Sequence, residues 1–395
     1  MKASKKEPLF RIAKRNVVNW KTTAIAISSC IGGALLISIL FLWVVSMKNP
    51  FTAVKYIFQG TFQNKIKLWA AIKEWVLLLG IGLALVPAYK MKFWNIGAQG
   101  QVLIGALITT IFMIKLGNTL PSYLIIILSI VCSFIGGALW AWIPAFFKSK
   151  WNTNETLFTL MMNYIAVFVV TFFVDNWRGS KTALGTINQA SKVGWVDFKT
   201  GVGAIDDFIK NYGNSKVIIP MLFVILLVVF MFFYIRKTKH GYEIQMVGDS
   251  VSTAKYTGVN VGHVIRRTLF LSGAICGIIG FFYVSAFDHT LSAQTGGGYG
   301  FTAVIVCWLS NFNPFVMIAY SFLIIFLNKG SRNLSNVGYA PALNEYSTEF
   351  LVFVIIIAIM LATFFIRYHI VFTRKKTEEE KQINYLTRGL LKGDK

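Results

Sequence analysis

The chain has little acid, little cysteine and no nucleotide-binding signature. Only 16 of 395 residues are Asp or Glu, against 39 Lys and Arg. Charged residues make up 14%, where a soluble domain carries about 25%. Four cysteines, Cys30, Cys132, Cys276 and Cys307, lie in apolar runs with no Cys-x-x-Cys spacing, which reads as small buried hydrophobes rather than a disulfide or metal framework. The four histidines, His240, His263, His289 and His369, are too far apart for a metal-ligand pattern. No Gly-Lys dipeptide occurs, so no P-loop exists and the chain does not hydrolyse a nucleotide by that route.

Long apolar runs are present in abundance: 55% of residues are hydrophobic and mean hydropathy is +0.61. The composition and these runs predict an all-α polytopic membrane protein. Ten candidate spans follow at 24–47, 75–89, 93–116, 123–147, 157–174, 217–235, 268–287, 301–309, 315–327 and 350–372, some of them short or broken. The net charge of +23 is not a nucleic-acid footprint, because Lys and Arg sit in short loops between spans. Lys90, Lys92, Lys148, Lys150 and the stretch 236–267 fall on one side by parity, and that side reads as cytoplasmic. Both termini then lie inside: a basic segment 1–23, the membrane domain 24–372 and a charged tail 373–395. Residues 48–74 read as an outer loop, although five lysines there run against the charge rule. Residues 175–216 form a second outer loop, in which Trp177, Arg178 and Trp195 are candidates for a partner contact or an aromatic interface belt.

Residues 91–106, MKFWNIGAQGQVLIGA, place amides and glycines inside an apolar stretch. Such groups are costly at membrane depth unless they face protein or a water-filled path. Asn95, Gln99 and Gln101, with the lone amide Asn163 in a later span, are therefore candidate path-lining groups. Amides of this kind hydrogen-bond hydroxyls or a nucleobase edge, and they also hold helices together. Small residues at Gly80, Ala84 and Ala88, at Gly136 and Gly137, and at Gly273, Gly277 and Gly280 read as helix-packing stripes. Gly296, Gly297 and Gly298 read as a flexible outer turn.

Each acid falls at a span edge, in an outer loop or on the cytoplasmic side, with Glu74 placed at an edge. A proton-coupled carrier needs a carboxylate relay at depth, so this distribution argues against one. An ion-coupled carrier using backbone carbonyls remains as an alternative. The adjacent pair Asp206-Asp207 sits in a polar loop and reads as solvated rather than as the acid pair of a membrane transferase. Glu155, beside Lys148 and Lys150, reads as a salt bridge.

The stretch 236–267 is the longest cytoplasmic loop. Within it Asp249 or Ser250 is set to cap a short helix over 251–257, and Gly258 to end it in a left-handed turn.

Four ordered motifs carry a resemblance. They are Phe93-Trp94-Asn95-Ile96-Gly97-Ala98-Gln99-Gly100-Gln101 with Gly105-Ala106; Asn154-Glu155-Thr156 through Met162-Asn163-Tyr164-Ile165; Gly248-Asp249-Ser250 with Ala254, Tyr256, Gly258 and Val259; and Ser272-Gly273-Ala274 with Gly298 through Thr302 and Asn313-Pro314. Together they resemble the membrane permease subunits of ABC importers of the branched-chain amino acid, ribose and nucleoside class, and most of all the simple-sugar and nucleoside permeases. The likeness covers roughly residues 75–330, with Gln99 standing where relatives usually carry Glu. It implies a multi-pass plasma-membrane transport subunit that is not an enzyme and holds no cofactor of its own. It implies a second permease chain, two cytosolic ATPases that bind ATP-Mg, and an extracellular substrate-binding lipoprotein. Gly248, Asp249, Ser250, Ala254, Tyr256 and Gly258 then belong to the ATPase-coupling loop.

Overall fold

The computed structural model describes residues 10–14, 49–197, 214–338 and 368–372, with isolated positions between 29 and 44 and between 354 and 364. Contacts divide the chain into two units, Met1–Phe41 with Phe353–Lys395, and Leu42–Val352. In the first, β1 (Phe10–Lys14) pairs antiparallel with β2 (Tyr368–Phe372), Phe10 opposite Phe372. The expected last span, 350–372, thus ends in a strand. The remainder of that span, most of the first span and the segments 1–23 and 373–395 lie largely outside the described residues.

The second unit is helical. Its elements are α1 (Pro50–Phe62), α2 (Lys65–Lys90), α3 (Ala98–Leu116), α4 (Ser122–Trp151), α5 (Glu155–Arg178) and α6 (Ser215–Lys237). They continue with α7 (Lys239–Asp249), α8 (Val251–Tyr256), α9 (Val261–Phe282) with a π-helical end (Tyr283–Asp288), α10 (Tyr299–Leu309) and α11 (Pro314–Asn336). Among the described residues seven helices are long and apolar enough to cross a membrane: α2, α3, α4, α5, α6, α9 and α11. The apolar α10 has 11 residues, about 16 Å of helix, and crosses only part of a bilayer about 30 Å thick.

Helix α9 packs against α4, α3 and α2 at the centre of this unit. Glycine makes that packing possible. A Cβ at Gly277 would collide with the Ser133 carbonyl, one at Gly137 with the Gly273 carbonyl, and one at Gly105 with Gly277. With lipid on the outside, such close backbone approach supplies the dispersion contacts that hold helices together. The Ser133 hydroxyl, 2.9 Å from that of Thr109, also donates to the Gly105 carbonyl at 3.0 Å.

Residues 48–74 are not a plain loop. Asn49 accepts from Phe51 N–H at 3.0 Å and starts α1; Asn64 accepts from Lys67 N–H at 2.9 Å and starts α2. Helix α1 lies on α11, where Gly60 meets the Lys329–Gly330 backbone and Asn333 donates to the Tyr56 carbonyl at 2.8 Å. Because α2 begins at Lys65, Glu74 stands inside a membrane-length helix rather than at its edge. Lys329 of α11 binds its carboxylate at 2.6 Å, and the neighbouring Lys73 pairs with Asp288. Charges in such helices persist when they pair.

Candidate translocation path and coupling loop

The chain between α2 and α3 is irregular. Lys92 sits in the left-handed region at φ 58°, and Phe93 N–H returns to the Ala88 carbonyl at 3.0 Å. An irregular stretch strands backbone polar groups, and nearby amides satisfy them. Asn95, fully buried, accepts from Gly97 N–H at 3.0 Å and from Gln101 Nε2 at 3.2 Å, and donates to Ser272 Oγ of α9 at 3.3 Å. Asn163 of α5 donates to the Ile96 carbonyl and accepts from Gly100 N–H, both at 2.8 Å. Gln99 donates to the Thr295 carbonyl at 2.8 Å and accepts from Gly300 N–H at 3.1 Å.

The four expected amides are therefore brought together around the break before α3. All are buried, and three have both side-chain polar ends bonded to protein. The buried Gln101 Oε1 has no hydrogen-bond partner. Gln99 ties α3 to the start of α10. That start has no side-chain cap of its own and leaves helix N–H groups to be met from elsewhere. The triple glycine before it is not simply an outer turn: all three φ values are positive, and Gly296 is buried against Gln99. A Cβ at Gly300 would crowd the Gln99 backbone.

Beside this break lies an aromatic group that the polarity of the stretch does not signal. Trp94 and Trp308 stack with centroids 5.2 Å apart, and Tyr89 meets Trp94 edge-on at 6.0 Å and Phe312 face-on at 6.2 Å. Trp308 is the penultimate residue of α10, one turn before the left-handed residues Asn311 and Phe312.

The 236–267 stretch contains two helices where one was expected. Asp249 ends α7, and Ser250 serves both helices. Its N–H bonds the Met246 carbonyl at 3.0 Å, closing α7, and its Oγ accepts from Thr253 N–H at 3.3 Å, opening α8. Gly258 follows α8 at φ 81°, with open space around it. Ala254 is fully buried with Val247, Val264 and Phe93, whereas Tyr256 is 97% exposed. Helix α7 shows a buried stripe at Gly241, Ile244, Val247 and Gly248, and the last of these lies on the Lys90 carbonyl. Lys148 and Glu155 form the expected ion pair at 2.8 Å.

At the opposite end of the helices, residues 179–197 fold over the end of α9. Trp195 lies flat on His289 with centroids 3.7 Å apart and donates to the Ile187 carbonyl at 3.0 Å. Arg178 pairs with Asp175 at 2.9 Å, and Trp177 packs on Phe173. Asp206 and Asp207 lie outside the described residues. No cluster of metal-binding side chains occurs among the described residues.

The sequence profile of the branched-chain amino acid transport system / permease component family matches residues 69–361. The chain belongs to that family. It is 23% identical to the nucleoside ABC transporter permease protein NupB of Lactococcus lactis, over 79% of this chain and 85% of that protein. It is 26% identical to the glucose ABC transporter permease protein TsgB13 of Haloferax volcanii, over 82% and 83%. It is 24% identical to the guanosine ABC transporter permease protein NupP of Bacillus subtilis, over 70% and 77%. No solved structure matches. The chain is thus a multi-pass plasma-membrane permease component of an ABC transporter, and the ion-coupled carrier reading gives way to it.

Proposed function

We propose that this chain forms one half of the translocation path of an ATP-driven importer for a nucleoside or a related simple sugar. The names of its relatives support that substrate class. So does the chemistry of the break before α3, where the buried polar groups are uncharged amides suited to hydroxyls and base edges. Asn95, Gln99, Gln101 and Asn163 line the path in this reading, with Gln101 Oε1 a buried acceptor that has no protein partner. The termini and the α7–α8 loop face the cytoplasm, where Lys and Arg concentrate.

The observation that carries the coupling role is the contrast within α8: Ala254 fully buried and Tyr256 97% exposed two residues later. A six-residue helix anchored on one face and bare on the other is a docking knob. Gly248, Asp249, Ser250, Ala254, Tyr256 and Gly258 make up this knob and its base. Its partners are two cytosolic ATPases binding ATP-Mg; a second permease chain completes the path, and an extracellular lipoprotein delivers the solute. The chain itself performs no covalent chemistry and binds no nucleic acid.

Proteoliposome uptake with the cognate ATPase tests this. ATP-dependent accumulation of a labelled nucleoside or sugar, lost when Ala254 or Gly258 is replaced by a bulky charged residue, is the expected result. Accumulation that continues without ATP, or in those variants, overturns it.

A further inference from the structure

We propose that a cavity behind α8 binds a phosphate-bearing anion. The cavity measures about 630 Å³ and lies between α8 and the ends of α2, α4, α5, α7 and α9. That volume falls in the range of small-ligand sites, about 300–1,000 Å³.

Its charges select the ligand class. Lys92, Lys148 and Lys255 line it, against Glu155 and Asp249. Lys148 and Glu155 neutralise each other at 2.8 Å. Among the described residues Lys92 and Lys255 have neither an ion pair nor a side-chain hydrogen bond. Two free ammonium groups against one carboxylate leave a surplus of positive charge. Ser149, Asn152 and Ser250 add hydroxyl and amide groups to the wall. A lysine is a point-charge phosphate binder, and hydroxyl and amide groups complete such a shell.

The wall is open at Gly262. A Cβ there would stand 3.5 Å from Ser149 Cβ, in ordinary contact, so a longer side chain at 262 would extend into the space. The cavity lies at the helix ends on the basic face, where lipid phosphates and soluble phosphate esters are both within reach. An occupant touches α8 through Ser250, Val251 and Lys255 and the break before α3 through Met91, Lys92 and Phe93. It holds these two elements at one separation and so slows transport. The binding rests on the cavity alone; the slowing rests on the coupling role proposed above.

The test uses the assembled transporter in nanodiscs of phosphatidylcholine, with or without phosphatidylglycerol. Labelled adenosine monophosphate and inorganic phosphate are titrated against the unaltered protein, the K92Q/K255Q pair and G262L, each first checked for an unchanged melting curve. Saturable binding in phosphatidylcholine discs, weakened at least tenfold in either variant, supports the site with a soluble ligand. A melting temperature raised by phosphatidylglycerol in the unaltered protein and in neither variant supports it with a lipid ligand. Absence of both effects, or effects equal in all three proteins, overturns it. Binding that leaves the ATPase and uptake rates untouched keeps the site and counts against the coupling role.

Discussion

Gln99 accepts the backbone N–H of Gly300 at 3.1 Å, joining the first turn of α3 to the first turn of α10. The same side chain donates to the Thr295 carbonyl at 2.8 Å, so one amide serves both the half-helix and the turn that leads into it. Gln99→Leu removes both bonds and leaves buried groups unmet. It is expected to lower stability by about 1–3 kcal/mol, read as a drop in melting temperature. Gln99→Glu keeps the acceptor for the Gly300 N–H but removes the donor to the Thr295 carbonyl. It is expected to melt below the unaltered protein.

Within α8, exposure and burial give opposite outcomes. Tyr256→Ala removes a fully solvated ring and is expected to leave the melting temperature unchanged while reducing solute moved per ATP hydrolysed. Ala254→Phe overfills a closed core of Val247, Val264 and Phe93 and is expected to lower stability by about 1–3 kcal/mol. Melting curves paired with uptake-to-hydrolysis ratios separate the two.

The Glu74–Lys329 pair, at 2.6 Å with both side chains mostly buried, is expected to behave as a unit. Lys329→Met strands the Glu74 carboxylate and should lower stability by about 3–5 kcal/mol. Adding Glu74→Gln to that variant should restore most of the loss. A double-mutant cycle in melting free energy checks it; equal and additive losses would exclude the coupling.

His289 lies at the end of α9 with Lys216 Nζ 2.9 Å from its Nε2. That geometry requires a neutral ring accepting from the ammonium. Burial first, and the Lys216 charge second, push its pKa down to about 4, while Asp197 and Asp288 oppose. The unfolded value is about 6.5. A base with a depressed pKa contributes its full stability above the unfolded value and loses it as pH falls toward the folded one. The melting temperature is therefore expected to fall between pH 7 and pH 4.5. His289→Asn, which tolerates the φ of 52° at this position, is expected to remove that part of the slope.

Much of this architecture was legible from apolar length. The runs at 123–147 and 217–235 became α4 and α6 with a few residues added at each end. The additions are amphipathic ends and caps, which hydropathy alone does not register. Helix α1 escaped because its 13 residues are too short and too polar for a span, and its burial comes from α11, far along the chain. Helix α7 escaped because its buried stripe includes two glycines, which carry no hydrophobic signal. Glu74 reads from the sequence as a span edge because its partner Lys329 is remote along the chain. The amides at 95, 99, 101 and 163 stand out in the sequence as anomalies of polarity. Which backbone group each one meets depends on where α9 and α10 pass, and no local pattern encodes that.

The contact between Gly248 and the Lys90 carbonyl has a mechanical consequence. No side chain lies between the two backbones, so there is nothing soft there to absorb a displacement. Ser250 joins α7 to α8 as a single-residue joint, closing one helix and opening the next. A load applied at Tyr256 therefore travels through two short stiff rods to the last turn of α2. It arrives at the residue where the chain leaves its helix and turns toward Asn95.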